Sequence, residues 1–162
     1  MKIYILYNII MNTIIYLEDT NGVSEVEQLI SKIAYQGIEG DTDAQHLAKY
    51  IRQGLEVLES TSIPTNQRIQ AIFEEDNGDK RTFQLLKPLR KVPLLEFRVN
   101  RSVPGAFRAI FFQYDYEGES LLVFTKALLK RGEPNPPELQ GKIEDSYNIY
   151  LDFCRDPNKY LD

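Results

Sequence analysis

The chain has one cysteine, one histidine and fewer basic than acidic residues, 19 Lys and Arg against 24 Asp and Glu. A single cysteine, Cys154, excludes an internal disulfide framework and any multi-cysteine zinc site. It agrees with a reducing compartment, so a cytoplasmic protein is expected. The lone histidine, His46, falls on an expected helix far from the basic residues and reads as structural or exposed, and no histidine is at hand to activate Cys154 as a nucleophile. Glycine-rich phosphate loops, G-x-S-x-G elbows, H-E-x-x-H pairs and regular acidic calcium loops are all missing. Glu39, Asp41 and Asp43 lie close together, but as a loop and helix start, where negative charge is favoured, rather than as a metal site. The apolar start MKIYILYNII is too short to span a bilayer and lacks a small-residue cleavage site, so neither a membrane nor a secretory route is expected. The acidic total, a formal charge of -5, argues against indiscriminate binding to nucleic acid.

Positive charge is nevertheless concentrated. Between Lys80 and Arg108, the cations Lys80, Arg81, Lys87, Arg90, Lys91, Arg98, Arg101 and Arg108 face a single acid, Glu96. Two of them, Arg98 in LLEFRV and Arg108 in AFRAIFF, lie inside strand-like patterns. Cations on a sheet serve either as edge protection or as an anion site.

The order of elements reads as α+β. Ile14 to Leu17 is a short β-prone run that stops at the turn-forming cluster Glu18 to Gly22. Ser24 and Glu27 have capping-box spacing, and Val26, Leu29, Ile30 and Ile33 recur at helical intervals up to Gly37. Thr42 and Gln45 repeat that spacing ahead of Ala44, Leu47, Ala48, Ile51, Leu55 and Leu58, one face of a longer helix. The two predict a helical hairpin packed on a sheet. From Arg68 the period changes to two, and Asp76-Asn77-Gly78-Asp79 is a hairpin turn signal that returns Thr82 to Leu86 antiparallel. Pro88 and Pro93 bracket what reads as a kinked basic connection. Leu95, Phe97 and Val99 then alternate with Glu96 and Arg98, Phe107, Ala109 and Phe111 with Arg108, Ile110 and Phe112, and Leu121 to Thr125 follows a further turn. That is an antiparallel meander. Asn135 reads as the cap of a last helix led by Pro136 and Pro137, with Leu139, Ile143, Tyr147 and Tyr150 on one face. One domain over 1–162 is expected.

The motif order then resembles the RelE/ParE superfamily of type II toxin-antitoxin toxins, in particular its HigB-like, phage-derived branch. The residues that carry the likeness are Lys87-Pro88-Leu89, then LLEFRV (Leu94 to Val99), then FRAIFF (Phe107 to Phe112), then LLVFTKALLKRGEPNPPEL (Leu121 to Leu139). It implies a RelE-like fold, with an N-terminal strand and helical hairpin packed on an antiparallel meander and a C-terminal helix. Two departures stand out: a hairpin over 66–86 that looks inserted, and Ala127 where many relatives carry a second lysine. Residues 1–10 precede the family's first strand and read as a leading extension, with Met11 as the start.

What the resemblance implies is a metal-independent endoribonuclease that cuts messenger RNA, usually on the ribosome, with no cofactor and with a cognate antitoxin, typically a helix-turn-helix protein. The same superfamily includes ParE-like inhibitors of DNA gyrase, and a non-catalytic phage-derived binding protein of this fold is a third alternative. Cleavage by 2′-OH attack needs a base, stabilisation of phosphorane charge and an acid for the 5′-oxygen. Arg98 and Arg108 suit the charge role, because guanidinium stays ionised and presents forked donors. With Lys126, Lys130 and Arg131 they form the candidate catalytic set; a lysine can act as base only where neighbouring cations and burial lower its pKa. Lys87, Arg90, Lys91 and Arg101 are candidate RNA contacts, or else a connection kept solvated by charge. Glu96 either orients Arg98 or forms a plain cross-strand ion pair. Some relatives use a carboxyl-terminal tyrosine, but the helical spacing of Tyr147 and Tyr150 favours core packing.

Overall fold

The computed structural model describes residues 11–63, 68–134 and 136–161. The expected extension over 1–10, the Asn135 cap and residues 66 and 67 of the expected hairpin lie outside them. The chain is α+β. It runs β1 (Asn12–Tyr16), α1 (Glu25–Ile38), α2 (Thr42–Ser60), β2 (Ile69–Glu74), β3 (Lys80–Pro88), β4 (Leu95–Val99), β5 (Ala106–Tyr116), β6 (Glu119–Lys130), α3 (Pro137–Arg155) and a short α4 (Asn158–Leu161).

All six strands join one sheet in the order β1-β6-β5-β4-β3-β2. From β2 to β6 each strand pairs antiparallel with its predecessor, so the meander is present, but β1 lies parallel to β6 and the sheet is mixed. β1 and β2 are thus the two edges, and the α1–α2 hairpin carries the chain from one to the other across a single face. Ser24 caps α1 as its spacing predicts, accepting from the Glu27 amide at 3.2 Å. The cap of α2 is Asp41 rather than Thr42: its carboxylate accepts from the Ala44 amide at 3.1 Å, and Thr42 is already helical. An ionised acceptor at a helix N-terminus is favoured over a hydroxyl one residue later.

Two cores result. Under the helical hairpin, Val26, Ile33, Leu47, Ile51 and Leu58 bury against Phe83, Leu85, Phe97, Phe107, Phe111 and Phe124. On the opposite face α3 sets Leu139, Ile143 and Phe153 against Ile110, Phe112, Val123 and Leu128. Tyr150 joins this second core through an edge contact with Phe112, ring centroids 5.0 Å apart, which agrees with the packing role expected of it. Because α3 packs chiefly on β5 and β6, β3 and β4 are left without a helix seated on that side.

Two expectations are corrected. Pro88 does not lie in a free connection: β3 continues through it, with Lys87 opposite Glu96 and Pro88 opposite Leu95, and Pro88 sits at the strand's end where a missing N–H is tolerated. The last strand runs on to Lys130, five residues beyond the Thr125 read from the pattern. The expected hairpin of 66–86 is present as β2 and β3 and forms the outer edge of the sheet.

Helix and sheet approach closely at Gly54 in α2, where a Cβ would sit 2.8 Å and 2.9 Å from two ring carbons of Phe97 and 3.1 Å from a methyl of Leu85. Both neighbours are fully buried and have nowhere to go. Gly54→Val gains little helix propensity, and its overpacking is expected to lower stability by about 1–3 kcal/mol, read as a lower urea midpoint with unchanged slope.

Candidate functional site

The uncovered side of β3 and β4 collects the charge. Arg98 in β4 stands directly opposite Arg108 in β5, an arrangement of like charges that is unfavourable by itself. Glu96, two residues before Arg98 and on the same face, resolves it. One of its oxygens, Oε1, lies 3.2 Å from Arg98 Nε and 3.3 Å from Arg108 Nε. The carboxylate and the Arg108 side chain are 5% and 4% exposed. Arg108 also donates from Nη1 to the Phe107 carbonyl at 3.0 Å. Arg98 Nε is close to the carboxylate but has no aligned acceptor in the protein, leaving a buried donor unsatisfied.

Two lysines complete the cluster, and both arrive by β-bulge. In β6 the register shifts opposite Ile110 and Phe111, so Thr125 has no cross-strand partner of its own. Its hydroxyl instead donates to the Ile110 carbonyl (3.1 Å) and shares a hydrogen bond with Ser146 of α3 (2.7 Å). Phe124 faces the helical hairpin, and plain alternation would send Lys126 and Lys130 to that same apolar face. The extra residue inverts the phase, so Ala127 and Leu129 face the hairpin while Lys130 shares the side of Arg108. In β3 the pairing skips Leu85, so Phe83, Leu85 and Leu86 all belong to the hairpin-side core and Lys87 emerges beside Glu96. Gly105, with φ +152°, lets the β4–β5 turn close onto the end of β6. A Cβ there would meet the Lys130 carbonyl at 2.7 Å.

Burial pushes the Arg108 guanidinium down to about 10, Arg98 adds to the shift and Glu96 opposes it. Arg108 is therefore still charged at neutral pH. The Lys130 ammonium is also depressed, first by desolvation, then by Arg108 and Arg98, with Glu96 opposing and Lys87 adding. The surroundings of Lys130 thus shift it toward the neutral form. Its position in β6 is diagonal to Arg108, since Lys130 pairs with Ala106 and Arg108 with Leu128.

Other expected site residues are placed elsewhere. Lys126 is half-buried in a separate cleft of ≈470 Å³ on the β1 side of α3, shared with Glu18, Asp19, Glu25 and Lys159, and the structure does not bring it to the arginines. Arg131 is exposed just past β6, beside the Gly105 turn. Arg101 belongs to the opposite face: it pairs with Asp43 at 3.6 Å and lies over the Tyr50 ring at 5.8 Å, so it braces α2. Lys87, Arg90 and Lys91 line a groove between the β3–β4 turn and α3 that also takes in Glu96. Lys91 is anchored there by Glu144 (3.3 Å) and by the face of Tyr147 (4.7 Å). His46 pairs with Asp76 at 3.4 Å, away from the cluster, and Cys154 is exposed.

Glu96 is the residue that sequence reasoning undervalued. It is not the partner of Arg98 alone: the same oxygen meets Arg108, and Lys87 stands opposite it in β3. Its signal was that it is the lone acid of the segment.

Among the described residues no helix is long and apolar enough to cross a membrane, and no three His, Cys, Asp or Glu side chains group as a metal site would require. No protein-family model, curated protein or solved structure matches the chain.

The cluster's electrostatics can be measured without any ligand. A side-chain NMR titration should place the Lys130 Nζ midpoint below its usual 10.5. Arg108→Leu removes a like charge and should raise that midpoint. Glu96→Gln removes the opposing carboxylate and should lower it; an unmoved midpoint in both variants would mean that Lys130 does not sense the cluster.

Proposed function

We propose that this chain is a RelE-like toxin of a type II toxin-antitoxin system and cuts messenger RNA without a metal, during translation. The observation that carries this reading is the cationic surplus around Glu96. Among the described residues on this open face, Lys87, Arg98, Arg108 and Lys130 share the field of one buried carboxylate. Stability does not account for it. A buried ion pair is on average no better than well-packed apolar side chains, and a second buried guanidinium beside the first is worse. A site that receives a phosphate does account for it, because an arriving anion supplies the missing negative charge.

The chemistry follows from the placement. Arg98 and Arg108, paired across adjacent strands, hold two non-bridging oxygens of one phosphodiester. Neutral Lys130 takes the proton from the 2′-oxygen as that oxygen attacks phosphorus. The P–O5′ bond breaks, leaving a 2′,3′-cyclic phosphate and a 5′-hydroxyl whose proton comes from the protonated lysine or from water. The two guanidiniums stabilise the charge that accumulates on the phosphorane. A depressed ammonium pKa raises the fraction of Lys130 able to act as base at neutral pH.

The order of elements supports the same reading: a strand, a helical hairpin, a meander and a last helix, with arginines at the family positions of two adjacent strands. On this reading the partners are messenger RNA on the ribosome and a cognate helix-turn-helix antitoxin, and the compartment is the cytoplasm.

The test is cleavage of a transcript on translating ribosomes by wild type and by Arg108→Leu. Wild type is expected to leave cyclic-phosphate ends. Arg108→Leu should be slowed at least about 100-fold while its thermal unfolding stays near that of wild type, since a buried like charge is lost and Glu96 keeps Arg98 as its partner. Intact transcripts together with inhibited supercoiling would replace the nuclease by a gyrase inhibitor. Intact transcripts and unaffected gyrase would leave a binding protein.

A further inference from the structure

We propose that the groove between the β3–β4 turn and α3 is a nucleobase subsite, taking the base of the nucleotide next to the phosphate held by Arg98 and Arg108. The proposal rests on the reading of that cluster as a phosphate site and adds what lies beside the phosphate.

Three observations support it. The groove encloses ≈660 Å³, room for a nucleoside. It is continuous with the cationic cluster, because Glu96 and Lys87 belong to both. A nucleotide whose phosphate sits on the arginines has its base or its neighbour's within reach of the groove without any rearrangement of the strands.

The lining also has the chemistry of a base rather than of a peptide anion or a second phosphate. Pro88 and Leu89 on one wall and Leu139 and Ile143 on the other give aliphatic surfaces to the two faces of a planar ring. Leu139 and Ile143 are nearly buried and rigid within the α3 core, so the wall is preformed. The edge of such a ring needs polar partners, and the side chains of Gln140 and Glu144 stand one position along the helix from those two. An amide carries both a donor and an acceptor, the complement of adenine's N6 and N7. At the mouth, Arg90 is exposed with no ion pair among the described residues, free to meet the next phosphate. An unpaired base can be splayed into such a groove and a paired one cannot, which selects single-stranded RNA.

The experiment uses the full chain with labelled Leu and Ile methyl groups and arginine Nε–H, and needs no cleavage. The probe is a single-stranded RNA pentanucleotide, 2′-O-methylated throughout so that it cannot be cut, beside versions abasic at each position in turn and inorganic phosphate alone. The intact oligomer should shift Leu89, Leu139 and Ile143 methyls together with Arg98 and Arg108. One abasic version should lose the methyl shifts, keep the arginine shifts and bind about tenfold more weakly. Gln140→Ala, on the exposed rim, should erode a preference for adenine at that position with arginine shifts intact.

Methyl shifts and affinity that are the same for the intact and every abasic oligomer would overturn the subsite while leaving the phosphate site standing. Arginine signals unmoved by every oligomer would overturn the phosphate site itself, and the subsite with it.

Discussion

The carboxylate of Glu96 sits against two guanidiniums with a single oxygen, in a part of the sheet that water scarcely reaches. Arg98 and Arg108 occupy directly opposed positions of adjacent strands, and without the acid between them the pair would repel in a medium that screens poorly. Removing the acid from such a buried group typically costs about 3–5 kcal/mol, because what remains is uncompensated charge. The opposed arginines of β4 and β5 depend on that one acid being where it is, and it also limits how far burial depresses Arg108 and Lys130. A lone carboxylate among so many cations is too little to neutralise them and enough to keep them folded.

The rest of the architecture leaves a groove open beside this arrangement. The helical hairpin spans one face from edge to edge and seals it with aromatic side chains. α3 is seated on β5 and β6 and stops short of β3 and β4. The charged residues of β4 and β5 are therefore held by protein, with a groove open beside them. Lys91 marks its boundary, fixed by Glu144 and Tyr147, so the groove edge is built and not left to a mobile side chain.

Much of this was legible in the chain. Clean alternation put Leu95, Phe97 and Val99 on one side and Glu96 and Arg98 on the other, and did the same for Phe107 and Arg108; the structure keeps both. Helical spacing found α1, α2 and the core role of Tyr150. Failures came where one residue breaks a period or where partners are distant. Pro88 read as a break, but its place at the end of β3 removes no needed hydrogen bond. Arg101 looked like part of the basic surface because it is near Arg98 in sequence, yet a turn carries it to Asp43 and Tyr50 across the sheet. Lys126 looked equivalent to Lys130, but Lys126 lies in a cleft with Glu18, Asp19 and Lys159 while Lys130 senses Arg108, Arg98 and Glu96.

By itself, then, the sequence determined which residues alternate, where helices start, and that one segment holds cations against a lone acid, because these are properties of neighbours along the chain. The tertiary structure decided which of those cations meet. Two bulges, at Leu85 and Thr125, each invert the alternation of a strand and turn Lys87 and Lys130 from the apolar hairpin face to the side of Glu96. A bulge exists only as a mismatch between two paired strands, so no single strand's pattern contains it. The same is true of the ion triad, whose members become neighbours only when β4 and β5 take the register that sets Arg98 against Arg108.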